Sequence, residues 1–487
     1  MLRGGVVLVM LRMSIRAIGL VSIVILFRIL SPADFGIVAL AMLVVGFVEV
    51  LAEFGFDQVL LRNPNAVRGD YDVAWTLNLI RGVVVAALLL ALAPFAASFL
   101  AEPKLTPVVL VLALAPLLDG LQNIGTVDFS KNLEFQKEFK LKVAQKLVSF
   151  VVTLVAAFVL RNYWALVLGV ISGRLANIAL GYALHPFRPR LTLQGWGGMM
   201  RFSIWILLNN VVLYAGNQTD KVIIQRNFGA HTVGIVRVAE EISGMVMELV
   251  WPVEKALYAG YVKVAHDMER LRHTMLVSAG LVAMIGVPLS LGLGALAEPA
   301  INVVLGAKGH DAIAFVQVYV LHGAIRSCLC GVIPIFMVLG RPEVMAQVTL
   351  ITVVVRLAVL LLGFPLIGLA AVPWSMVAGT STAYLLVWWR VSMQLRLGAF
   401  DLPGAVWRCV VASATMAVAG WWMSNTVPAG LGDFARLMLF VPLCTAVYVG
   451  ALGMLWMLCG RPDGPERTAL SAGRDWLHKR FPRSSGI

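Results

Sequence analysis

Apolar stretches of about 20 residues, such as 74–100, 142–160 and 434–459, follow one another from one end of this chain to the other. A stretch of that length can cross a bilayer as an α-helix. Helices suit this environment because they satisfy every backbone polar group within the segment. Only 13% of the residues are charged, whereas a soluble domain carries about 25%. The sequence therefore predicts an all-α membrane protein.

Fourteen transmembrane helices are predicted, six in each of two bundles and two at the C-terminal end. The predicted domains are an N-terminal bundle (1–184), a cytoplasmic linker (185–200), a second bundle (201–389), two additional helices (390–460) and a basic tail (461–487). The predicted helices span 11–30, 35–56, 74–100, 105–124, 142–160, 164–184, 201–225, 231–256, 275–297, 313–338, 345–363, 366–389, 405–425 and 434–459.

A weak internal repeat supports the two bundles. Shifting the sequence by 198 residues aligns 223–239 with 25–41, so that Gly234-Ile235-Val236 falls on Gly36-Ile37-Val38. Internal repeats of this kind indicate a duplicated unit. Because six helices is an even number, both copies insert the same way up, as a parallel repeat.

Basic residues give the orientation. The net charge is +13, and most lysines and arginines lie at the ends shared by the two termini. Such residues collect on the cytoplasmic side of membrane proteins. Their distribution here predicts an inner-membrane protein with both termini in the cytoplasm. It also accounts for the positive net charge, so no nucleic-acid partner is predicted. Segment 128–143 is expected to form an interfacial helix, 185–201 a hinge, and the tail a partly helical or disordered segment at the inner leaflet.

Several charged residues lie where charge is expensive. Arg174, Arg326 and Arg356 fall in the middle of predicted spans, and Arg16 lies about a third of the way into the first. A charge deep in the bilayer costs about 2.5–3.5 kcal/mol on insertion scales and marks a functional site by default. Arginine suits phosphate because its planar guanidinium binds oxyanions in bidentate fashion. We predict that Arg16, Arg174 and Arg326 contact an anionic substrate.

A second group of charges surrounds the turn predicted at Asn227-Phe228-Gly229. Asp220, Lys221, Arg237 and Glu240 are expected at similar depth on the two helices that flank the turn. One interpretation is an ion-pair cluster that fastens these helices together. The other, which the additional acids Glu241 and Glu248 favour, is the lining of a polar cavity, with these four residues as a gate or coupling network.

Motifs of catalysis and of cofactor binding are missing. The sequence contains no HExxH, GxSxG or GxxxxGK[ST] pattern, and its histidines lack metal-ligand spacing. The five cysteines lie in or beside apolar segments and are expected to be free thiols. No metal, cofactor or enzymatic activity is predicted. The remaining possibilities of other classes are a membrane glycosyltransferase or polymerase and a silent scaffold.

Three stretches resemble the lipid-linked oligosaccharide flippases, the polysaccharide-transporter branch of the multidrug/oligosaccharidyl-lipid/polysaccharide exporter superfamily. They are Arg28–Gly36 (RILSPADFG), Leu117–Phe139 with KNLEF at 131–135, and Thr219–Lys221 followed by Phe228-Gly229 and Val233–Ile235.

The resemblance implies two six-helix bundles around a cationic cavity, which rock to expose it to either side of the membrane. It also implies an undecaprenyl-pyrophosphate-linked glycan as substrate, membrane lipids as surroundings and polysaccharide-synthesis proteins as possible partners. A multidrug or cation exporter of the same superfamily is the alternative, and an acidic cavity would favour it.

Overall fold

A computed structural model describes residues 2–52, 60, 67–132, 134–193, 197–398, 400–426, 432–462 and 464–471, in places by their backbone alone. Within these ranges the chain is helical and contains no β-strand. Nine helical segments of the described residues are long and apolar enough to cross a membrane. The chain divides into two compact units, Met1–Arg237 and Val238–Ile487.

In its described residues, the first unit contains eight complete helices and the start of a ninth. Five helices of this unit surround the cavity described below: α1, α2, α7, α8 and α9. The helices are α1 (Leu2–Ile29), α2 (Pro32–Leu51), α3 (Arg68–Phe99), α4 (Leu105–Leu112), α5 (Leu114–Gly120), α6 (Val127–Lys131), α7 (Phe135–Leu160), α8 (Trp164–Leu184) and α9 (Gly197–Val264).

In its described residues, the second unit contains the end of α9, eight further helices and a short helical segment at 465–471. The eight helices are α10 (Met268–Ala295), α11 (Ala297–Leu305), α12 (Ile313–Cys330), α13 (Pro334–Val338), α14 (Pro342–Ile367), α15 (Ala371–Leu395), α16 (Asp401–Thr426) and α17 (Asp433–Leu458). The apolar clusters of this unit include one around Tyr261 and Phe336 and another around Met416 and Phe440.

The fourteen predicted segments are helical over most of their described residues, but 105–124 is divided into α4 and α5, and 313–338 into α12 and α13. The predicted turn at Asn227-Phe228-Gly229 is confirmed as a break inside α9, where Gly229 has φ 78° and ψ 176°. This region of backbone conformation is essentially restricted to glycine. The loop predicted at 298–312 is instead α11 followed by a 3-10 helix, Gly306–Ala312.

The segment predicted as one interfacial helix, 128–143, is divided. Its first part is α6, whereas its second part runs without a break into the membrane span of α7. Phe129 and Leu141 are both buried. They pack inside the unit, so the prediction of a separate interfacial helix is wrong.

The start of α2 shows how the RILSPADFG stretch determines local structure. Ser31 caps the helix: its Oγ accepts a hydrogen bond from the Asp34 amide, and Asp34 Oδ2 accepts one from the Ser31 amide at 2.9 Å. This capping box satisfies backbone donors that a helix start leaves unpaired. Asp34 Oδ1 also accepts the Tyr163 amide at 3.0 Å, which ties α2 to the start of α8.

The first part of the predicted hinge, 185–193, is attached to α3. The amide of Arg190 donates to Asp72 Oδ1 at 2.8 Å, and the amide of Thr192 donates to Thr76 Oγ1 at 3.1 Å. Buried Asn123 donates to the carbonyl oxygens of His185 and Phe187. These bonds attach residues 185–193 to the first unit, and residues 194–196 lie outside the described part of the chain. The hinge role of 185–201 stays a prediction.

The C-terminal tail begins with a segment that docks on the second unit. Residues 465–471 are helical, and Glu466 accepts two hydrogen bonds from Arg408, at 2.7 and 3.0 Å. Both side chains are buried, and the pairing is bidentate. The predicted contact of the tail with the inner leaflet falls largely on residues 472–487, which lie outside the described part.

Candidate functional site: a cationic cavity in the first unit

A cavity of about 400 Å³ lies within the first unit. Its walls come from α1, α2, α7, α8 and α9. The α2 and α8 walls are apolar, whereas α1, α7 and α9 contribute polar side chains. The apolar residues of α2 are Phe35, Val38, Ala39, Met42 and Leu43, and the polar lining residues are Ser22, Lys146, Ser149, Thr153, Tyr214, Gln218, Lys221 and Arg237.

The charged groups of this lining all have one sign. Lys146, Lys221 and Arg237 line the cavity, and in the described part of the chain its lining residues include no aspartate or glutamate. Opposite charges attract far more strongly in a low-dielectric interior than in bulk water. The cavity is therefore suited to an anionic group and poorly suited to a cation.

Hydrogen bonds hold Lys221 at the cavity wall. Its Nζ donates to Gln218 Oε1 at 2.5 Å, one turn earlier on α9. Its backbone amide donates to Asp220 Oδ1 at 3.0 Å, and Asp220 is buried. Of the predicted gate residues, Lys221 and Arg237 line the cavity, Asp220 is buried next to Lys221 in the sequence, and Glu240 lies in the second unit.

Sequence analysis did not select Lys146. It is half-buried on α7, and Ser149 and Thr153 follow it at intervals of three and four residues, so the three share one face of the helix. Ser149 donates to the Gly169 carbonyl at 2.7 Å, which joins α7 to α8. A polar stripe on an otherwise apolar span was the signal that could have identified Lys146.

Arg174 occupies a different environment from the cavity lysines. On α8, it is paired with Asp119 of α5 and lies 3.7 Å from Glu49 of α2 (Nη2 to Oε1). It is not among the residues that line the cavity. The two carboxylates explain how an arginine is accommodated at this depth, and its contact with substrate stays a prediction.

The other two predicted arginines are placed as follows. Arg16 lies in α1, and only its backbone is described. Arg326 lies half-buried on α12 of the second unit, one turn after His322, whose Nδ1 is 2.5 Å from Thr380 Oγ1. Arg356 of α14 is buried in the same unit. The roles predicted for Arg16 and Arg326 stay predictions.

Comparison with known proteins identifies the family. A family model described as "Polysaccharide biosynthesis protein" matches residues 25–314, more than half of the chain. The chain belongs to this polysaccharide biosynthesis protein family. The match includes all of α2, α7, α8 and α9, and therefore every lining residue except Ser22.

Two curated relatives extend the family relationship. The lipopolysaccharide biosynthesis protein WzxC of Escherichia coli (strain K12) is 24% identical over 319 residues, which cover 64% of each chain. The succinoglycan biosynthesis transport protein ExoT of Rhizobium meliloti (strain 1021) is 26% identical over 295 residues, 59% of each chain. The matched region thus spans just under two thirds of the length of these relatives.

A solved structure shares the fold of this family member. The lipid II flippase MurJ, in an inward closed conformation, matches with a TM-score of 0.72 at 12% identity, over 93% of this chain and 99% of the other. The predicted all-α membrane fold is confirmed, and the chain is a multi-pass membrane protein.

Proposed function

We propose that this protein is a flippase that moves an undecaprenyl-pyrophosphate-linked oligosaccharide or exopolysaccharide precursor across a bacterial inner membrane by alternating access. The relatives WzxC and ExoT, named for lipopolysaccharide biosynthesis and succinoglycan transport, support a transporter rather than an enzyme. The fold shared with MurJ, named as a lipid II flippase, supports a lipid-linked substrate. Both termini lie in the cytoplasm in this proposal.

The observation that carries the proposal is the sign of charge in the cavity. Lys146, Lys221 and Arg237 line it, and its lining in the described part of the chain includes no carboxylate. The pyrophosphate of a lipid-linked glycan is an anion that lysine and arginine bind through charge-assisted hydrogen bonds. A multidrug or cation exporter requires the opposite sign, and so the cavity argues against that alternative. The hydroxyl oxygens of Ser149, Thr153 and Tyr214, whose hydrogens are donated to backbone carbonyl groups, add acceptors for sugar hydroxyl groups.

The test is glycan export by cavity variants in a strain that lacks the native gene. Lys146→Ala should lower export by roughly tenfold or more, since a lost charge-assisted hydrogen bond costs about 1.5–3 kcal/mol. Lipid-linked precursor should accumulate at the inner leaflet. Lys146→Arg keeps the charge and should retain most of the activity.

Lys142→Ala is the matched control, because Lys142 lies on the same helix, is exposed and does not line the cavity. It should export glycan at the normal level. Normal export by Lys146→Ala and Lys221→Gln, at normal amounts in the membrane, would refute the role of the cavity. Absence of precursor accumulation in the deletion strain would refute the flippase itself.

A further inference from the structure

The segment 188–193, which follows α8, combines exposed apolar and exposed basic side chains. Leu191 is 73% exposed and Leu193 is 49% exposed. Arg190 precedes them and is exposed, as is Arg68 at the start of α3. Single exposed apolar residues are common on protein surfaces. Large apolar side chains next to basic ones, by contrast, are typical of a segment that contacts a membrane interface.

Hydrogen bonds fix this segment alongside α3. The amide of Arg190 donates to Asp72 Oδ1 at 2.8 Å, and the amide of Thr192 donates to Thr76 Oγ1 at 3.1 Å. Asp72 and Thr76 are one helical turn apart, which is about 6 Å along the axis. Two residues of extended chain span about 7 Å. The segment therefore runs beside α3 in the same direction, from the first turn of this helix toward its middle.

The direction of α3 gives the depth of the two leucines. The apolar stretch of α3 starts at residue 74, and Thr192 is bonded to Thr76, just inside that stretch. Leu191 and Leu193 flank Thr192 in the sequence and so lie near the edge of the hydrocarbon region. Arg68 lies eight residues before Thr76, about 12 Å nearer the helix start. The interfacial layer outside the hydrocarbon core is about 5–7 Å thick on each side, so Arg68 and the Asp72 level reach the lipid headgroups.

Two of the arginines at this level have donors available for a ligand. The side chain of Arg190 is exposed and has no ion pair or hydrogen bond among the described residues. Arg68 is also exposed, and it lies 3.9 Å from the carboxylate of Asp72 (Nε to Oδ2). Arg188 differs, because its guanidinium donates to three backbone carbonyl groups at the end of α8 and just after it.

We propose that Arg68 and Arg190 bind the phosphate of an anionic phospholipid, while Leu191 and Leu193 enter the acyl-chain region beside α3. The planar guanidinium group suits phosphate oxygens, which it binds through charge-assisted hydrogen bonds. Depth selects a lipid rather than a soluble acidic segment, because the leucines lie at the level of the membrane. The choice of the inner leaflet rests on the proposed function, in which both termini are cytoplasmic and α3 starts on that side.

The first experiment measures the depth of the leucines. Leu191→Cys and Leu193→Cys are made in a background with Cys459→Ser, since Cys459 is exposed and the other four cysteines are buried. Each variant carries a nitroxide label in vesicles of phosphatidylcholine and phosphatidylglycerol. Oxygen concentrates in the hydrocarbon region, whereas a nickel chelate stays in water. The ratio of the oxygen effect to the nickel effect should be at least about fivefold higher than at a water-exposed position.

Asn132→Cys supplies that reference position. Asn132 is exposed in the same unit and follows α6. Its label should respond mainly to the nickel chelate. If labels at 191 and 193 respond as the label at 132 does, the segment faces water. That result would overturn the proposal and favour a soluble acidic partner.

The second experiment measures which headgroup collects at the site. A fluorophore on Leu191→Cys is quenched by lipids that carry a quencher on the acyl chain, either phosphatidylglycerol or phosphatidylcholine at equal mole fraction. Quenching by phosphatidylglycerol should be about threefold stronger or more, because basic residues near the surface attract anionic lipids. The ratio should fall to about one in Arg68→Gln/Arg190→Gln, since both guanidinium groups are lost. Arg190→Lys keeps the charge and should retain most of the preference.

Arg190→Gln by itself remains decisive if the double variant fails to fold. It removes an exposed side chain, and the bond from the residue 190 amide to Asp72 is retained. The preference should then fall by about half. Lys140→Gln is the matched control, because it removes one exposed positive charge from α7 of the same unit. It should leave the ratio unchanged. Equal quenching by the two lipids in the parent, or a ratio that ignores both arginines, would overturn the site.

Neither readout requires a glycan. Loss of the lipid preference while export still depends on Lys146 would refute the lipid site alone. Absence of precursor accumulation in the deletion strain would refute the flippase and leave the lipid site intact. The two proposals can therefore fail separately.

Discussion

Lys146 and Arg174 are both basic residues on helices of the first unit, yet their surroundings differ. Lys146 lines a cavity whose lining residues, in the described part of the chain, include two further cations and no carboxylate. Arg174 of α8 is paired with Asp119 of α5 and lies close to Glu49 of α2. A buried charge that is paired with carboxylates serves the fold, whereas a basic side chain in the wall of a cavity can contact a ligand there. The neighbouring carboxylates therefore separate the two cases.

The largest expected effect on the free energy of unfolding follows from removing Arg174. Arg174→Ala removes the cation that Asp119 and Glu49 share and should lower stability by roughly 1–3 kcal/mol, less than for a fully buried pair, since Asp119 keeps its hydrogen bond from Gln122. Thermal unfolding in detergent measures it. Adding Asp119→Asn and Glu49→Gln should restore part of the loss. Unchanged stability in the single variant would show that Arg174, like Lys146, is available for a ligand.

His185 represents an intermediate case outside the membrane spans. Its Nδ1 accepts the Phe187 amide at 3.2 Å, and its Nε2 lies 3.6 Å from Asp128 Oδ2. Burial lowers the pKa of His185 below its ordinary value of 6.5, and the Asp128 carboxylate only partly opposes this. As the pH falls, the imidazole of His185 is therefore protonated at a higher pH in the unfolded chain than in the folded one.

The sign of the effect follows from that order. The neutral imidazole contributes its full stabilisation above pH 6.5, and this contribution is lost progressively as the pH falls from 6.5 to the lower native pKa. Hydrogen exchange of the Phe187 amide, corrected for intrinsic rate, should therefore be faster at pH 5.5 than at pH 7.5.

His185→Asn supplies the control for this measurement, since its Oδ1 keeps an acceptor but does not titrate. Exchange in this variant should be independent of pH after correction. If the native protein also shows no pH dependence, Asp128 stabilises the charged ring enough to cancel the effect of burial.

The smallest expected effect on stability belongs to the cavity. Lys146→Glu places a carboxylate among Lys221 and Arg237, where it gains cationic neighbours, so stability should change by about 0.5 kcal/mol or less. Export of an anionic glycan should nevertheless fall at least as far as in Lys146→Ala. A large loss of stability in detergent would mean that Lys146 belongs with Arg174 as a structural residue.

The fourteen segments were predictable because the hydropathy of a 20-residue stretch is a local property. The break at Gly229 and the cap at Ser31 were also readable, since backbone conformation and capping depend on a few adjacent residues. The position of α11 and the division of 128–143 were not, because helix limits in those segments depend on tertiary packing, as buried Phe129 shows.

For the candidate site, the sequence by itself determined which charges are costly, and it selected Lys221 and Arg237 because they flank a readable turn. Only the tertiary structure decided that Arg174 meets Asp119 and Glu49 and that Lys146 faces Lys221. These partners lie on helices far apart in the sequence, and which faces of two helices meet is set by packing over their whole length. The repeat was likewise present in the sequence as a pattern at an offset of 198. The folded helices add a close approach that the sequence does not show: Gly36 lies against the carbonyl group of Ala230, and Gly234 lies against that of Pro32.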